Sequence, residues 1–322
     1  SVFVIGNDVV EFVILLNIAV ISPVISIFGI ASNIINIIVF ARHGFKDSVN
    51  VSLVALAVSD VCSLVPLLWL SVVLNPAFSA VPFVRLEVQY LTASWPHTCF
   101  ARITSWVTAY IMLERCLCII KPLTVRTIIT PRRVRCIMGF IFAAGVAVVC
   151  PTYATAWLGW RFSPADNRTL LGLVNRPGSK DVIKATVFFN NTLSPLASFV
   201  VVGVCLIIIV SKLKEKAKWR EASVGGTNLK KISGNDRKAI KMLAALSVMF
   251  ITSVAPNIGL VVWYICDKEF TLDGAYRNLF NTLFTCTYVL EASNSSFGVV
   301  VYFTMNARYR ATFMNILGLG RK

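Results

Sequence analysis

The stretch MLERCLCIIKPL, residues 112–123, places an acid and an arginine next to each other at the end of a long apolar run. Residues 88–113 contain Arg102 as their only charge, and apolar residues continue past Glu114 and Arg115. Because a helix needs about 20 mostly apolar residues to cross the hydrocarbon core of a bilayer, this run is long enough to span a membrane. The stretch therefore predicts a membrane-spanning helix with both charges at its end.

The composition extends this prediction to the whole chain. Of 322 residues, 57% are hydrophobic and 14% are charged, with a mean hydropathy of +0.74, a balance typical of a membrane-embedded protein. We expect an all-α membrane protein, a seven-transmembrane helix bundle that forms one domain over 1–322, with a short amphipathic helix after the last span. The predicted spans are approximately 12–41, 48–74, 88–118, 136–158, 185–211, 240–266 and 278–304, and the short helix covers 306–317.

The distribution of basic residues predicts the orientation of the bundle. The loops and tail on one side hold 22 of the 31 Lys and Arg residues, and the opposite side holds 8. Short loops rich in Lys and Arg stay cytoplasmic, so the amino terminus is expected outside, in a multi-pass protein of the plasma membrane. The net charge of +16 then fits an inner face that meets anionic lipid and cytosolic partners, with no need for nucleic acid.

The cysteines and histidines argue against a disulfide framework and a metal centre. Of the 9 cysteines, Cys266 alone lies near the predicted outer face. One outward cysteine cannot form an intramolecular bridge. No CxxC occurs and the only histidines are His43 and His97, so the usual metal-site spacings are missing.

Short motifs recur along the spans in a characteristic order. They are GIASN at 29–33, LAVSD at 56–60, ERC at 114–116, Pro195, Pro256, and NSSFGVVVY at 294–302 followed by NARYR. In this order the chain resembles a rhodopsin-like (class A) G-protein-coupled receptor of the divergent invertebrate peptide-receptor or chemosensory type. The resemblance covers nearly all 322 residues. It implies a receptor that binds an extracellular ligand, a peptide or a chemical cue, and activates heterotrimeric G proteins.

Departures from the family pattern remove parts of the usual activation mechanism and exclude some classes of ligand. Tyr90 stands where the family has the cysteine of its outer disulfide, Val254 replaces the aromatic switch of the sixth helix, and Gly298 stands in the place of the seventh-helix asparagine. An opsin needs a lysine in its last span, and 278–307 has none. His97 occupies the position of the amine-receptor aspartate. The ligand classes that remain are a peptide, a lipid and a small chemical cue.

The resemblance also assigns a switch at the inner face. Glu114, Arg115 and Tyr302 take the family's switch positions, and Arg115 is expected to pair with Glu114 in the closed state and to turn to a G protein when the helices part. The alternative is a snorkelling charge at the interface.

Asp60 lies deep in the second span, where a carboxylate costs several kcal/mol unless it is solvated or paired. In the family this position holds a sodium ion, and Thr104, Asn294 and Ser295 align with its polar neighbours. A plain water network is the alternative, and no other cofactor is expected.

The candidates for the ligand pocket are His97, Thr98, Arg102, Tyr288 and Glu291. Arg102 and Glu291 should both face the bundle interior, because either charge facing lipid at that depth would cost several kcal/mol. They are expected to pair directly or through water, as a ligand contact or as a purely structural ion pair.

Three outer aromatic residues, Phe188, Phe189 and Trp263, line the pocket or form an interfacial belt.

Intramembrane charges also mark transport pathways, so a polytopic transporter is the alternative function. It predicts an internal repeat, which the sequence does not show. An enzyme is not expected, because no Ser-His-Asp, HExxH or P-loop pattern occurs.

Overall fold

A bundle of long helices forms the protein. The computed structural model describes residues 6–75, 81–121, 125, 127–163, 167–222, 234–271 and 274–319, without the side chains of 213, 216–222, 234–240 and 243. Six of the described helices are long and apolar enough to cross a membrane. Part of the basic loop predicted at 212–241, residues 223–233, lies outside the described residues.

The first six helices follow one another along the chain, with a hairpin between the fourth and the fifth. Their bounds are α1 (Asn7–His43), α2 (Ser48–Leu74), α3 (Arg85–Ile120), α4 (Pro131–Thr155), α5 (179–222) and α6 (Gly234–Cys266). Three of them contain a π-helical segment near the predicted outer end. These segments are Leu16–Ile21 in α1, Tyr90–Ser94 in α3 and Phe188–Leu193 in α5.

The seventh crossing is divided. It consists of α7 (Arg277–Ser296) and α8 (Gly298–Met305), which are separated at Phe297, and α9 (Ala307–Ile316) follows as the short carboxyl-terminal helix. Because α7 carries many polar side chains, it is not among the six described helices that are apolar enough to count as membrane-spanning by hydropathy. The predicted seven-transmembrane bundle with a carboxyl-terminal helix is confirmed.

Local capping fixes where several helices begin. The Asp47 side chain accepts a hydrogen bond from the backbone N–H of Val49 at the start of α2, and Asn306 does the same for Tyr309 at the start of α9. Thr130 caps α4 directly before Pro131, which needs no N–H at the first helical position. These side chains satisfy N–H groups that a helix end leaves without a partner.

An antiparallel hairpin that the sequence analysis did not predict follows α4. Its strands are β1 (Ala156–Ser163) and β2 (Arg168–Asn175), paired from Ala156 with Asn175 to Ser163 with Arg168. The fourth span was therefore placed too far along the chain: α4 begins at Pro131 and ends at Thr155, and 156–158 belong to β1. Ala156 already has the extended backbone of a strand.

The core lies around α3, which packs against α2, α4, α5 and α6. Apolar side chains fill most of the interior, including Phe40, Ile103, Met112 and Phe250. Polar and charged side chains are buried at the same depth along α2, α3 and α7. Because burying a polar group is costly unless it has a partner, these positions locate the candidate site.

Candidate functional site

An ion pair between α3 and α7 forms the centre of the site. Nη2 of Arg102 contacts Oε1 of Glu291, and both side chains are buried, at 5% and 9% exposure. Two further donors reach the same carboxylate: His97 Nε2 lies 3.3 Å from Oε2, and Asn257 Nδ2 donates to Oε1 over 2.9 Å. Glu291 on α7 is thereby tied to α3 through His97 and Arg102 and to α6 through Asn257.

The ring of His97 is held from its other side by α2. Its Nδ1 lies 3.1 Å from the hydroxyl oxygen of Ser63 and 3.0 Å from the carbonyl oxygen of the same residue. The ring centroid of Tyr288 lies 5.5 Å from that of His97. Four of the predicted pocket residues, His97, Arg102, Tyr288 and Glu291, are thus brought together.

Thr98 does not join this cluster through its hydroxyl, which donates to the carbonyl oxygen of Trp95 on its own helix. Trp263 stacks on Phe270 at the outer end of α6, with ring centroids 4.2 Å apart. Phe188 and Phe189 are half-exposed on the outside of α5. None of the three therefore contacts the Glu291 carboxylate, and Phe189 shares only the wall of a lipid-facing cleft with Arg102.

Two residues of the cluster were missed by the sequence analysis, Asn257 and Ser63. Asn257 directly follows Pro256, and Ser63 lies one helical turn beyond Asp60. Neutral polar residues are common in spans and cost less to bury than charges, so neither carries a signal as strong as that of Arg102 or Glu291.

The guanidinium of Arg102 is not fully satisfied. Its Nε and Nη1 are buried and have no hydrogen-bond partner among the described residues. A buried donor left in this way costs about 1–3 kcal/mol. A cavity of about 10 Å³, bounded by Arg102, Thr104, Ser253, Asn294 and Ser295, adjoins it and has room for roughly one water molecule.

A second polar cavity lies around Asp60. Its volume is about 40 Å³, and its walls include Asp60, Thr104, Asn294 and Tyr302. The Thr104 hydroxyl donates to Oδ1 of Asp60 over 3.0 Å. Ser295 lines the adjoining smaller cavity together with Thr104 and Asn294. The structure thus brings together the four residues predicted for the sodium or water site.

At the predicted inner end of α3, the partner of Glu114 differs from the expected one. Oε1 of Glu114 accepts a hydrogen bond from the Ser48 hydroxyl over 2.7 Å, and no ion pair joins Glu114 to Arg115 in the described part of the chain. Neighbouring residues on a helix do not face each other, and Ser48 at the start of α2 is the nearer partner. Nε and Nη2 of Arg115 are buried without a partner among the described residues.

Tyr302, the third switch residue, is buried in an aromatic group with Phe40 and Tyr309. Its ring centroid lies 5.2 Å from that of Phe40 and 5.6 Å from that of Tyr309. The Tyr309 hydroxyl donates to Oδ1 of Asn36, which ties α9 to α1. Burial raises the pKa of the Tyr309 phenol above its ordinary value, which keeps the hydroxyl protonated as a donor.

This arrangement of motifs on a helical bundle has a counterpart among known proteins. The model of the family described as 7 transmembrane receptor (rhodopsin family) matches residues 32–302. The chain belongs to this family. The interpretation as a class A receptor is therefore confirmed, and nothing in the match supports the transporter alternative.

Several mammalian receptors resemble this receptor over most of its length. Human neuromedin-U receptor 2 is 27% identical over 314 residues, which cover 94% of this chain and 72% of that protein. Human neuromedin-U receptor 1 is 26% identical over 318 residues, with 92% and 72% covered. The mouse neuromedin-U receptor 2 is 26% identical over 310 residues, with 94% and 75% covered. These relatives do not bear on an invertebrate origin.

The hairpin that follows α4, on the predicted outer side, is held to α3 without a disulfide among the described residues. Glu87 forms an ion pair with Arg161 of β1, and its Oε2 accepts a hydrogen bond of 2.7 Å from the backbone N–H of Leu173 in β2. Leu171 adds two backbone hydrogen bonds of 2.9 Å, with Val84 and Pro82. The described cysteines are all free. We call this contact between Glu87, Arg161 and Leu173 the outer clasp.

Gly172 makes the outer clasp possible. A Cβ at this position would lie 2.6 Å from Oε2 of Glu87 and 2.8 Å from Nε of Arg161. Any larger residue would therefore push the carboxylate away from the hairpin.

Proposed function

We propose that this receptor binds an extracellular peptide and activates heterotrimeric G proteins from the plasma membrane, with its amino terminus outside. The names of the relatives support a ligand of the neuromedin-U type, and the excess of basic residues in the loops at 42–47, 115–135 and 212–241 supports the orientation.

The observation that carries the proposal is the convergence on Glu291. One carboxylate accepts from donors on α3 and α6, while it belongs to α7 itself. A positively charged group of a ligand that replaces Arg102 weakens the tie between α3 and α7, which His97 then holds alone, and one that replaces Asn257 releases α6 from α7. Because a ligand shifts a conformational equilibrium only through its different affinity for the two states, such an exchange is a direct route from binding to helix movement.

The closed cluster fits the unliganded state of this mechanism. His97, Arg102 and Glu291 expose only 1%, 4% and 9% of their surfaces, so a peptide arriving from the predicted outer side must part the outer ends of the helices to reach them. At the inner face, the movement releases α3 from Ser48, which holds Glu114, and turns Arg115 toward the G protein.

We also propose that the polar cavity at Asp60 holds a sodium ion. Asp60, Thr104, Asn294 and Ser295 offer the carboxylate, hydroxyl and amide oxygens that hard cations prefer, and the ion would balance a carboxylate buried at this depth.

Nucleotide exchange tests the function. Purified receptor in nanodiscs is mixed with a heterotrimeric G protein, and exchange is measured with neuromedin U, with a scrambled peptide of the same composition, and without peptide. We expect neuromedin U or a related peptide to increase exchange and the scrambled peptide to leave it unchanged. Failure of a panel of such peptides, together with exchange driven by a small chemical cue, would overturn the peptide assignment.

A further inference from the structure

A cleft between α3, α4 and α5 opens on the outside of the bundle. Its volume is about 440 Å³, within the range of roughly 300–1,000 Å³ that ligand pockets occupy. Trp106 and Val148 on its walls expose 37% and 39% of their surfaces although they lie within membrane-spanning helices. In the membrane these faces meet acyl chains, so the cleft is reached from the lipid.

One charged residue contributes to the wall of this apolar cleft. Arg102 lines it, and the ion pair with Glu291 uses Nη2 only. Nε and Nη1 of the same guanidinium are buried and lack a partner among the described residues. The buried amide of Asn190 is a second polar group in the cleft. A guanidinium offers five N–H donors in a planar fork, so a small rotation of the enclosed Arg102 side chain toward the cleft lets it bind a second carboxylate beside Glu291.

We propose that the cleft binds a free fatty acid, with the carboxylate at Arg102 and the alkyl chain along the apolar wall formed by Ala144, Val148 and Leu193. The protonated acid is neutral and can enter from the lipid. The positive charge of Arg102 then favours the carboxylate and Glu291 opposes it, so the two unused N–H donors of Arg102 hold the ionised form. A phospholipid is a poorer fit, because Arg102 lies 13 residues from Arg115, about 20 Å along α3, and so roughly 10 Å inside the outer edge of a hydrocarbon core of about 30 Å, below the depth of a phosphate group.

A photoaffinity experiment measures this binding directly, so it does not depend on the proposed signalling function. The probe is a palmitic acid analogue that carries a diazirine, and the matched control probe is the corresponding alcohol. Both are applied to purified receptor in phosphatidylcholine nanodiscs, and the labelled residues are identified by mass spectrometry. We expect saturable labelling of α4 and α5 at the cleft, with the alcohol binding at least tenfold more weakly.

Two variants separate the cleft from the general lipid surface. Ala144→Trp fills the cleft and should abolish saturable labelling, whereas Gly139→Trp on the exposed face of the same helix, where an added Cβ meets nothing within 4 Å, should leave it unchanged. Arg102→Gln should lower the affinity for the acid to that for the alcohol. If that variant does not fold, the comparison of acid and alcohol in the unmodified receptor still decides the role of the charge.

Three outcomes would overturn the proposal. The first is equal affinity for the acid and the alcohol in the unmodified receptor. The second is labelling outside the cleft that Ala144→Trp does not change. The third is displacement of the acid probe by phosphatidylglycerol at the same concentration at which unlabelled palmitate displaces it.

Discussion

Arg102 of α3 and Glu291 of α7 form a buried ion pair in which Glu291 has more hydrogen-bond partners than Arg102. The carboxylate has His97 and Asn257 as further donors, while two nitrogens of the guanidinium have no partner in the described part of the chain. Removing the charge of Glu291 should therefore affect the stability of the receptor differently from removing the charge of Arg102.

This inequality predicts an order of stability. Glu291→Gln leaves a buried guanidinium without a counter-charge and should destabilise the receptor by about 3–5 kcal/mol. Arg102→Gln leaves a carboxylate that keeps two donors, so its loss should be smaller. The double variant with both charges removed should recover part of the loss, since no unpaired charge remains. Thermal unfolding of the purified receptor in one detergent gives the order, and the reverse order would contradict this account.

The ligand role of the same pair predicts changes in potency. Arg102→Gln and Glu291→Gln should each shift agonist potency by tenfold or more, which corresponds to about 1.4 kcal/mol, at matched surface expression. Exchange of the two charges should not restore it. Thr98→Ala is the control, because its hydroxyl is bonded within its own helix. A charge exchange that rescues both expression and potency would make the pair purely structural.

Arg115→Ala should abolish G-protein activation and leave surface expression largely intact, because its charge is expected to act on the G protein and forms no ion pair among the described residues. Agonist-stimulated nucleotide exchange measures the effect, with agonist binding as the control. A variant that signals like the unmodified receptor would leave Arg115 as an interfacial charge.

The bond between Ser48 and Glu114 predicts a second effect at the inner face. Ser48→Ala removes a tie between α2 and α3 worth about 1 kcal/mol and should raise basal nucleotide exchange. Glu114→Gln should act in the same direction by a smaller amount, because the amide oxygen still accepts from Ser48 but carries no charge. Ser52→Ala is the matched control, since that hydroxyl bonds to the carbonyl of Ser48 in its own helix. If Ser48→Ala and Ser52→Ala have equal basal rates, the interhelical bond does not restrain activation.

The outer clasp predicts that the receptor tolerates reducing agent. Agonist binding should be unchanged by dithiothreitol, whereas Glu87→Ala should speed amide hydrogen exchange at Leu173 severalfold, because the carboxylate acceptor is lost. Lys180→Gln changes another charge on the predicted outer side, outside the clasp, and should have no such effect. The ion pair with Arg161 is partly exposed and contributes at most about 1 kcal/mol, so the backbone contact should dominate. Loss of agonist binding in dithiothreitol, or unchanged amide hydrogen exchange at Leu173 in Glu87→Ala, would argue against the clasp.

The cavity at Asp60 predicts a specific effect of sodium. Sodium chloride should lower agonist affinity in the unmodified receptor, and Asp60→Asn should remove this dependence, because the neutral amide no longer binds the ion. Radioligand binding in sodium and in potassium chloride of equal ionic strength measures it. Equal effects of the two salts would favour a water network.

Charges inside spans made the central pair predictable from the sequence. Either Arg102 or Glu291 would be costly against lipid, so both had to face inward, and the structure places them in contact. Ser63 and Asn257 carry no such cost and could not be singled out. The partner of Glu114 was missed because the motif draws attention to the adjacent Arg115, whereas Ser48 belongs to another helix.

The hairpin was missed for a different reason. The segment AWLGWRFS of β1 is largely apolar and aromatic, so its first residues extend the hydropathy of α4 without a break. Strand pairing with 168–175 depends on a partner that composition alone does not reveal.

The π-helical segment Tyr90–Ser94 changes which residues of α3 correspond to those of a regular helix. Its hydrogen bonds span one residue more than those of an α-helix, so each such turn rotates everything before it about the helix axis. His97 lies within Trp95–Ile120, where a count back from Arg115 follows regular turns. Tyr90 lies beyond that range, and α1 and α5 carry similar segments near their outer ends. A peptide arriving from outside therefore meets a different set of side chains from the one that a regular α-helix, counted back from Arg115, would present.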